Sequence, residues 1–287
     1  MASKSSPAPP PPILCASFNQ DNSCFAIGTR DGVRVFDART GRLFYERHMG
    51  SFSIVEMLFS SSLLAIVGAG EQPSLSPRRL CLFDTVTEAT RRELNFLTSI
   101  LAVRLNRKRL IVVLQDKTYI YDLNSVAILD TIDTVPNPKG LCAFSPSSDA
   151  CYLALPASKT KGSVLIYNTI EIFSLCQIDA HQRPLAAIAF SSSGMYLATA
   201  SEQGTIIRVH LVSQATKSSN ANRPCSMLGS MIPDKINGAL ESAHHHVLHN
   251  AAPQGMKSYA IIHSADKVGS TMQMSTSAIR YVLQSMS

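Results

Sequence analysis

Four histidines, His244, His245, His246 and His249, form the densest group of potential metal ligands in the chain. On a helix His245 and His249 would share one face, but His246 stands where a His-Glu-x-x-His site has its glutamate. No second cluster completes a tetrahedron, so no metal is expected, and a histidine-rich face at a membrane would instead gain charge as pH falls. The seven cysteines, Cys15, Cys24, Cys81, Cys142, Cys151, Cys176 and Cys225, are odd in number, with no pair two or three apart. They read as buried, reduced thiols rather than a disulfide framework. Arg104, Arg107, Lys108 and Arg109 make a basic run that reads first as a charged strand edge that deters aggregation, and second as a surface for an acidic partner or membrane. No aromatic residues are interleaved with it, so no nucleic acid is expected. Gly-x-Ser-x-Gly, Walker and Gly-x-Gly-x-x-Gly motifs are absent, which points to binding rather than turnover and implies no cofactor.

These residues must be held by something, and the composition permits a core: of 287 residues 45% are apolar and 16% charged. The longest strongly apolar run, Leu63–Gly70, falls far short of the ~20 residues that span a bilayer, and no Lys/Arg-led hydrophobic stretch opens the chain as a secretory signal would. A net charge of +6 suits an anionic partner. Residues 1–12 are Ser/Pro-rich and read as a disordered or polyproline leader.

From residue 13 to residue 212 short apolar runs alternate with polar turns. Cys24–Gly28 and Val33–Asp37 flank Thr-Arg-Asp-Gly, and Arg109–Leu114 and Thr118–Leu123 flank Gln-Asp-Lys, as hairpins do. An apolar residue ahead of a polar turn recurs at Phe18, Phe59, Leu105, Phe144 and Phe190, about 40–50 residues apart, a spacing typical of propeller blades. A second marker follows each: Val35-Phe36, Leu82-Phe83, Ile120-Tyr121, Ile166-Tyr167 and Val209-His210. The pattern predicts an all-β chain, a β-propeller of WD-repeat type with five recognisable blades. Beyond residue 212 the rhythm stops. In 213–263, Ile232, Ile236, Leu240, Ala243 and Val247 recur at helical steps behind Pro233 and Asp234, predicting an amphipathic helix, followed by a strand-like run over 258–263. Residues 264–287 form an irregular polar tail.

Several motifs are more specific: Ser17-Phe-Asn-Gln-Asp21, Leu58-Phe-Ser-Ser-Ser62, Leu101–Leu110, Asn137-Pro-Lys-Gly-Leu-Cys142, Ala180-His181 and Leu197–Val209. Together, and in order, they resemble the PROPPIN family, phosphoinositide-binding propellers of autophagy, in the manner of its plant members. The family follows the Ile-Arg-Val strand with Phe-Arg-Arg-Gly, whose arginines serve two lipid sites. Here the chain continues Val209-His-Leu-Val-Ser-Gln and lacks the motif. Resemblance resumes at Asn222–Ser230 and from His244 to Ile262, so the propeller is expected to be incomplete, five blades of seven, with exposed sheet edges.

The resemblance implies a lipid site at His181, Ser201, Thr205 and Arg208, although Ser201 and Thr205 also suit an ordinary turn beside Gly204, and His181 a structural contact. It implies partner contacts on blades two and three with autophagy lipid-transfer or conjugation factors, to which Arg104, Arg107 and Arg109 are assigned. It also implies membrane contact by the long sixth-blade loop, here Ile232, Ile236, Leu240 and Val247. The expected function is a cytoplasmic scaffold recruited to phagophore, preautophagosomal, endosomal or vacuolar membranes through phosphatidylinositol 3-phosphate or 3,5-bisphosphate, weakened by the missing motif. The alternatives are a scaffold without lipid binding and a propeller-type hydrolase.

Overall fold

The computed structural model describes residues 12–204 and 206–212, which form five antiparallel sheets. The chain divides into two compact units at Ile100 and Leu101. In the first, blade one comprises β1 (Ile13–Phe18), β2 (Cys24–Thr29), β3 (Gly32–Asp37) and β4 (Leu43–His48). Blade two comprises β5 (Phe52–Met57), β6 (Leu63–Gly68), β7 (Arg79–Asp84) and β8 (Ala89–Asn95). In the second unit, blade three is β9 (Ala102–Leu105), β10 (Arg109–Val113), β11 (Lys117–Asp122) and β12 (Ile128–Asp133). Blade four is β13 (Ala143–Phe144), β14 (Tyr152–Pro156), β15 (Gly162–Asn168) and β16 (Phe173–His181). Blade five shows three strands among the described residues: β17 (Leu185–Phe190), β18 (Tyr196–Ser201) and β19 (Ile207–Leu211).

The repeat markers fall where strand order puts them. Phe18, Leu105, Phe144 and Phe190 end the first strand of their blades, and the second markers all lie in the third strand. Phe59 departs from this: it follows β5 with a φ of 47°, and Met57 ends that strand instead. Second strands of blades one to four are mainly apolar and buried without alternation, and every residue of β2 is buried. Fourth strands alternate and are mostly exposed, as in β4, β8 and β12.

One turn design joins the third and fourth strands of blades one to four. An Asp or Asn closes the third strand and its side-chain oxygen accepts backbone N–H groups beyond it. Asp37 accepts from Arg39 and Thr40, Asp84 from Val86 and Thr87, Asp122 from Ser125, and Asn168 from Ile170 and Glu171. This is the local bonding that suits Asx residues to turns. The fourth residue on is left-handed each time: Gly41, Glu88, Val126 and Ile172, with φ of 70°, 54°, 58° and 59°. In blade five the marker Val209-His210 is followed by Leu211, which has no side-chain oxygen for such a turn.

Side chains between blades make the core. In the first unit, Val33 and Val35 of blade one meet Phe52, Val55, Ile66 and Phe83 of blade two. In the second, Ile111, Val113 and Ile120 of blade three meet Leu153, Leu155 and Tyr167 of blade four. Blade four's other face, with Ala154, Val164 and Ile166, meets Leu185, Ile188 and Leu197 of blade five. Each such large side chain contributes about 1.5–3 kcal/mol by leaving water. Residues 1–11 of the leader and residues 213–287, with the expected helix, strand and tail, lie outside the described residues.

Candidate functional site

The densest polar network in blade five gathers on one face of its sheet. Ile188, Thr199 and Arg208 are register partners, as are Phe190, Leu197 and His210. Directly opposed residues in an antiparallel sheet share a face, so Thr199, Arg208 and His210 all point toward blade four. There they meet His181, which ends β16. His181 Nε2 lies 3.0 Å from Thr199 Oγ1, which also lies 3.2 Å from His210 Nε2 and 3.4 Å from the Arg208 carbonyl. Arg208 Nη1 donates to the Ala180 carbonyl, closing the loop. Burial holds the His181 imidazole below its usual range, and the neighbouring Arg208 charge acts in the same direction. Burial, then His181 and Arg208, push His210 down to about 4. Both imidazoles are therefore neutral near pH 7, leaving Arg208 as the network's fixed cation.

Of the four residues assigned to lipid, the structure joins His181 to Arg208 through Thr199 and Ala180. Ser201 lies two residues along β18 from Thr199, on the same face, and is 7% exposed. Its carbonyl accepts from Gly204 in the tight turn after β18. Thr205 lies outside the described residues. Arg208 itself is exposed, so donors beyond the one facing Ala180 reach solvent. The sequence assigns neither Thr199 nor His210 to the site, and His210 enters only as a repeat marker. The strand period of two carries both, since Thr199 precedes Ser201 by two and His210 follows Arg208 by two.

The basic run does not form one outward patch. Arg104 pairs in register with Ile111, and Arg109 lies on the same side of blade three, which packs on blade four. Arg109 Nε donates to the Thr169 carbonyl of blade four at 2.9 Å, and its Nη1 sits 3.4 Å from Asp122. Its side chain is 14% exposed. Arg104 donates to the Val103 carbonyl at 2.8 Å, while Arg107 stands exposed in the turn before β10. The residues proposed for membrane contact, Ile232, Ile236, Leu240 and Val247, and the histidines at 244–249 lie outside the described residues.

A cavity of about 170 Å³ in the first unit is lined by Phe52, Ile66, Leu75, Arg79, Cys81 and Glu93, among others. Burial, with Glu93 nearby, pushes the Cys81 thiol up to about 11. It is a thiol and not a thiolate near pH 7, so this cavity does not supply the activated nucleophile a hydrolase needs.

Repeated blades of this topology, packed face to face, define a β-propeller protein of the WD type. A sequence profile of the PROPPIN family matches residues 12–228, and the chain belongs to that family. Autophagy-related protein 18b of Arabidopsis thaliana is 56% identical over 308 aligned positions, covering 91% of this chain and 84% of the relative. That aligned stretch is longer than the chain's own 287 residues, so the relative carries residues within the match that this chain lacks. Autophagy-related protein 18 of Dictyostelium discoideum is 42% identical over 211 positions, 74% of this chain and 56% of the relative, so the chain spans little more than half of that protein. Among solved structures, Kluyvelomyces marxianus Hsv2 shares the fold at 22% identity and a TM-score of 0.61, over 70% of this chain and 62% of that one. A complex of KlAtg21 with the coiled-coil of AgAtg16 matches at 28% identity and a TM-score of 0.61, over 69% of this chain and 65% of that one. The protein is thus an autophagy-related β-propeller and not an enzyme.

Proposed function

We propose that this chain binds phosphoinositide headgroups at the rim of blade five and recruits autophagy factors to the forming phagophore membrane. The observation that carries the reading is the exposed Arg208 guanidinium, anchored at one nitrogen by Ala180 and flanked on its face by His181, Thr199 and Ser201. An anchored guanidinium keeps its remaining N–H groups aimed, as recognition of phosphate oxygens requires. Ser201 ends β18 on the same face, and Thr205 is assigned to the site from the sequence.

The absence of Phe-Arg-Arg-Gly argues for weakened binding, since each lost charge-assisted hydrogen bond removes roughly 1.5–3 kcal/mol. The internal surplus of the Arabidopsis relative supports reading the propeller as incomplete. Membrane contact is assigned to Ile232, Ile236, Leu240 and Val247, whose spacing puts an apolar stripe on one helix face. For partner recognition, Arg107 is an exposed cation of the basic run, beside exposed Lys108, and is suited to an acidic segment of a coiled-coil or lipid-transfer partner. Cytoplasmic pools recruited to phagophore, endosomal or vacuolar membranes complete the reading.

Flotation with vesicles containing phosphatidylinositol 3-phosphate tests it. Residual binding that Arg208→Ala abolishes supports the rim site. No flotation by the unaltered chain favours the second reading, a scaffold without lipid binding, which the missing arginines favour.

A further inference from the structure

The face of blade five turned away from blade four is apolar except for the Tyr196 hydroxyl. Its register rows are Ala187, Ala200 and Ile207; then Ala189, Ala198 and Val209; then Tyr196 and Leu211. None of these enters the cluster that joins blades four and five. No described strand follows β19 in the chain. Ala187 is exposed and Leu211 is 43% exposed, Ala198 at the centre of the sheet is buried, and the other residues of the face are half-buried. In blade four, by contrast, both faces pack on neighbouring blades.

We infer that this face is the docking surface for the chain's own stripe Ile232, Ile236, Leu240, Ala243 and Val247. The alanines Ala187, Ala189, Ala198 and Ala200 make a shallow trough, and Tyr196, Ile207, Val209 and Leu211 raise its border. Branched aliphatic side chains at helical spacing fit such a trough by van der Waals packing, and the face presents no Asp, Glu, Lys, Arg or His to oppose them. The chain's exit also directs the segment there. Val212 is buried in the cluster with blade four, and its N–H donates to the Met195 carbonyl at 2.7 Å. The last described residue, Val212, therefore lies next to Leu211 and to the Met195-Tyr196 step, at the border of the trough. Leu211 stands where the other blades have the Asp or Asn of the turn into a fourth strand, so that route is not encoded at this point.

Residues 213–231, rich in Ser, Asn and Ala, separate Val212 from Ile232, and a random coil of that many residues has a root-mean-square span of roughly 25 Å. That reaches across a three-stranded sheet. Tethering also raises the local concentration of the stripe to about the millimolar range, which favours it over a second copy of the chain at micromolar concentration. The assignment stands independently of lipid binding at the rim. It has one consequence for that reading: a stripe docked here is withheld from a bilayer until it is released.

Photo-crosslinking tests the assignment on the full chain. A benzophenone amino acid is placed at Leu211 in a mixture of isotopically light and heavy protein, and crosslinked peptides are identified by mass. The expected result is light–light and heavy–heavy products joining residue 211 to the segment 232–247. Their yield should fall about tenfold or more in Ile236→Asp/Leu240→Asp, the factor that about 1.4 kcal/mol of lost docking energy gives. Mixed light–heavy products would assign the face to a second copy and overturn the proposal. So would crosslinks to other segments, or none. If the double variant does not fold, the map from the unaltered stripe still decides.

Discussion

His210 Nε2 and Thr199 Oγ1 lie 3.2 Å apart, and the same hydroxyl meets His181 Nε2 at 3.0 Å, so two imidazoles share one threonine. A hydroxyl donates one hydrogen, so at least one ring nitrogen must donate to it, and the arrangement works with both rings neutral. Because the folded-state pKa of His210 is about 4 against an ordinary 6.5, the unfolded chain takes up a proton first as pH falls. Stability is then full above about pH 6.5 and declines toward pH 4, by roughly 3 kcal/mol across that window. The downward shift of His181 adds in the same direction. Asp31 and Asp84, held at about 2 mainly by Arg34 and by the Val86 N–H respectively, lose their contributions only below 3.8. Urea unfolding at about pH 7.5 and about pH 5 should therefore show a steep loss that His210→Gln flattens. A slope unchanged by that substitution would place the proton uptake elsewhere.

Arg109 and Arg107 should separate stability from recognition. Arg109→Ala leaves the Thr169 carbonyl and the Asp122 carboxylate without their guanidinium, at a cost of roughly 1–3 kcal/mol. Arg107→Glu, at an exposed position, should cost less stability than Arg109→Ala while weakening capture of an acidic coiled-coil partner. A large loss of stability in Arg107→Glu would show that the turn, and not an interface, needs this residue.

Gly162 is register partner to His181, and a Cβ there would come within 2.5 Å of the His181 Cβ and 2.7 Å of the Arg183 carbonyl. Backbone and Cβ atoms cannot swing aside as a long side chain can. Gly162→Ala should therefore displace His181, destabilise the chain by about 1–3 kcal/mol and lower vesicle flotation along with it. Flotation retained at full strength in a destabilised variant would detach His181 from the lipid site.

Val126 holds a φ of 58° in the turn after β11, where blade one has Gly41 at 70°. A β-branched residue in the left-handed region carries about 1–2 kcal/mol of strain. Val126→Gly should relieve it and raise the urea midpoint, less the entropy that glycine adds to the unfolded chain. A lower midpoint would mean that the half-buried Val126 side chain contributes more packing than its backbone loses.

Grafting the family's Phe-Arg-Arg-Gly segment after β19 should strengthen flotation about a hundredfold, given two arginines each making charge-assisted contacts to phosphate. Equal recovery of grafted and unaltered chains would remove the motif as the determinant.

The five-blade rhythm, the placement of the second markers in third strands, and the Asx turns are written in the sequence because they are local. A turn is decided by a few consecutive residues, and a fully covered strand must be apolar at every position. Family membership was equally legible, from motifs that occur in order along the chain. The fates of individual arginines were not. Arg104, Arg107 and Arg109 read as one basic run, yet pairing register sends Arg104 and Arg109 to the face packed on blade four and leaves Arg107 in a turn. Thr199 and His210 became visible only when β18 and β19 were brought beside His181, from a different blade. The apolar outer face of blade five was likewise hidden, since alternation in a strand gives two faces without saying which one meets a neighbour. Long-range packing selects the face, and that selection rests on contacts between blades far apart in sequence.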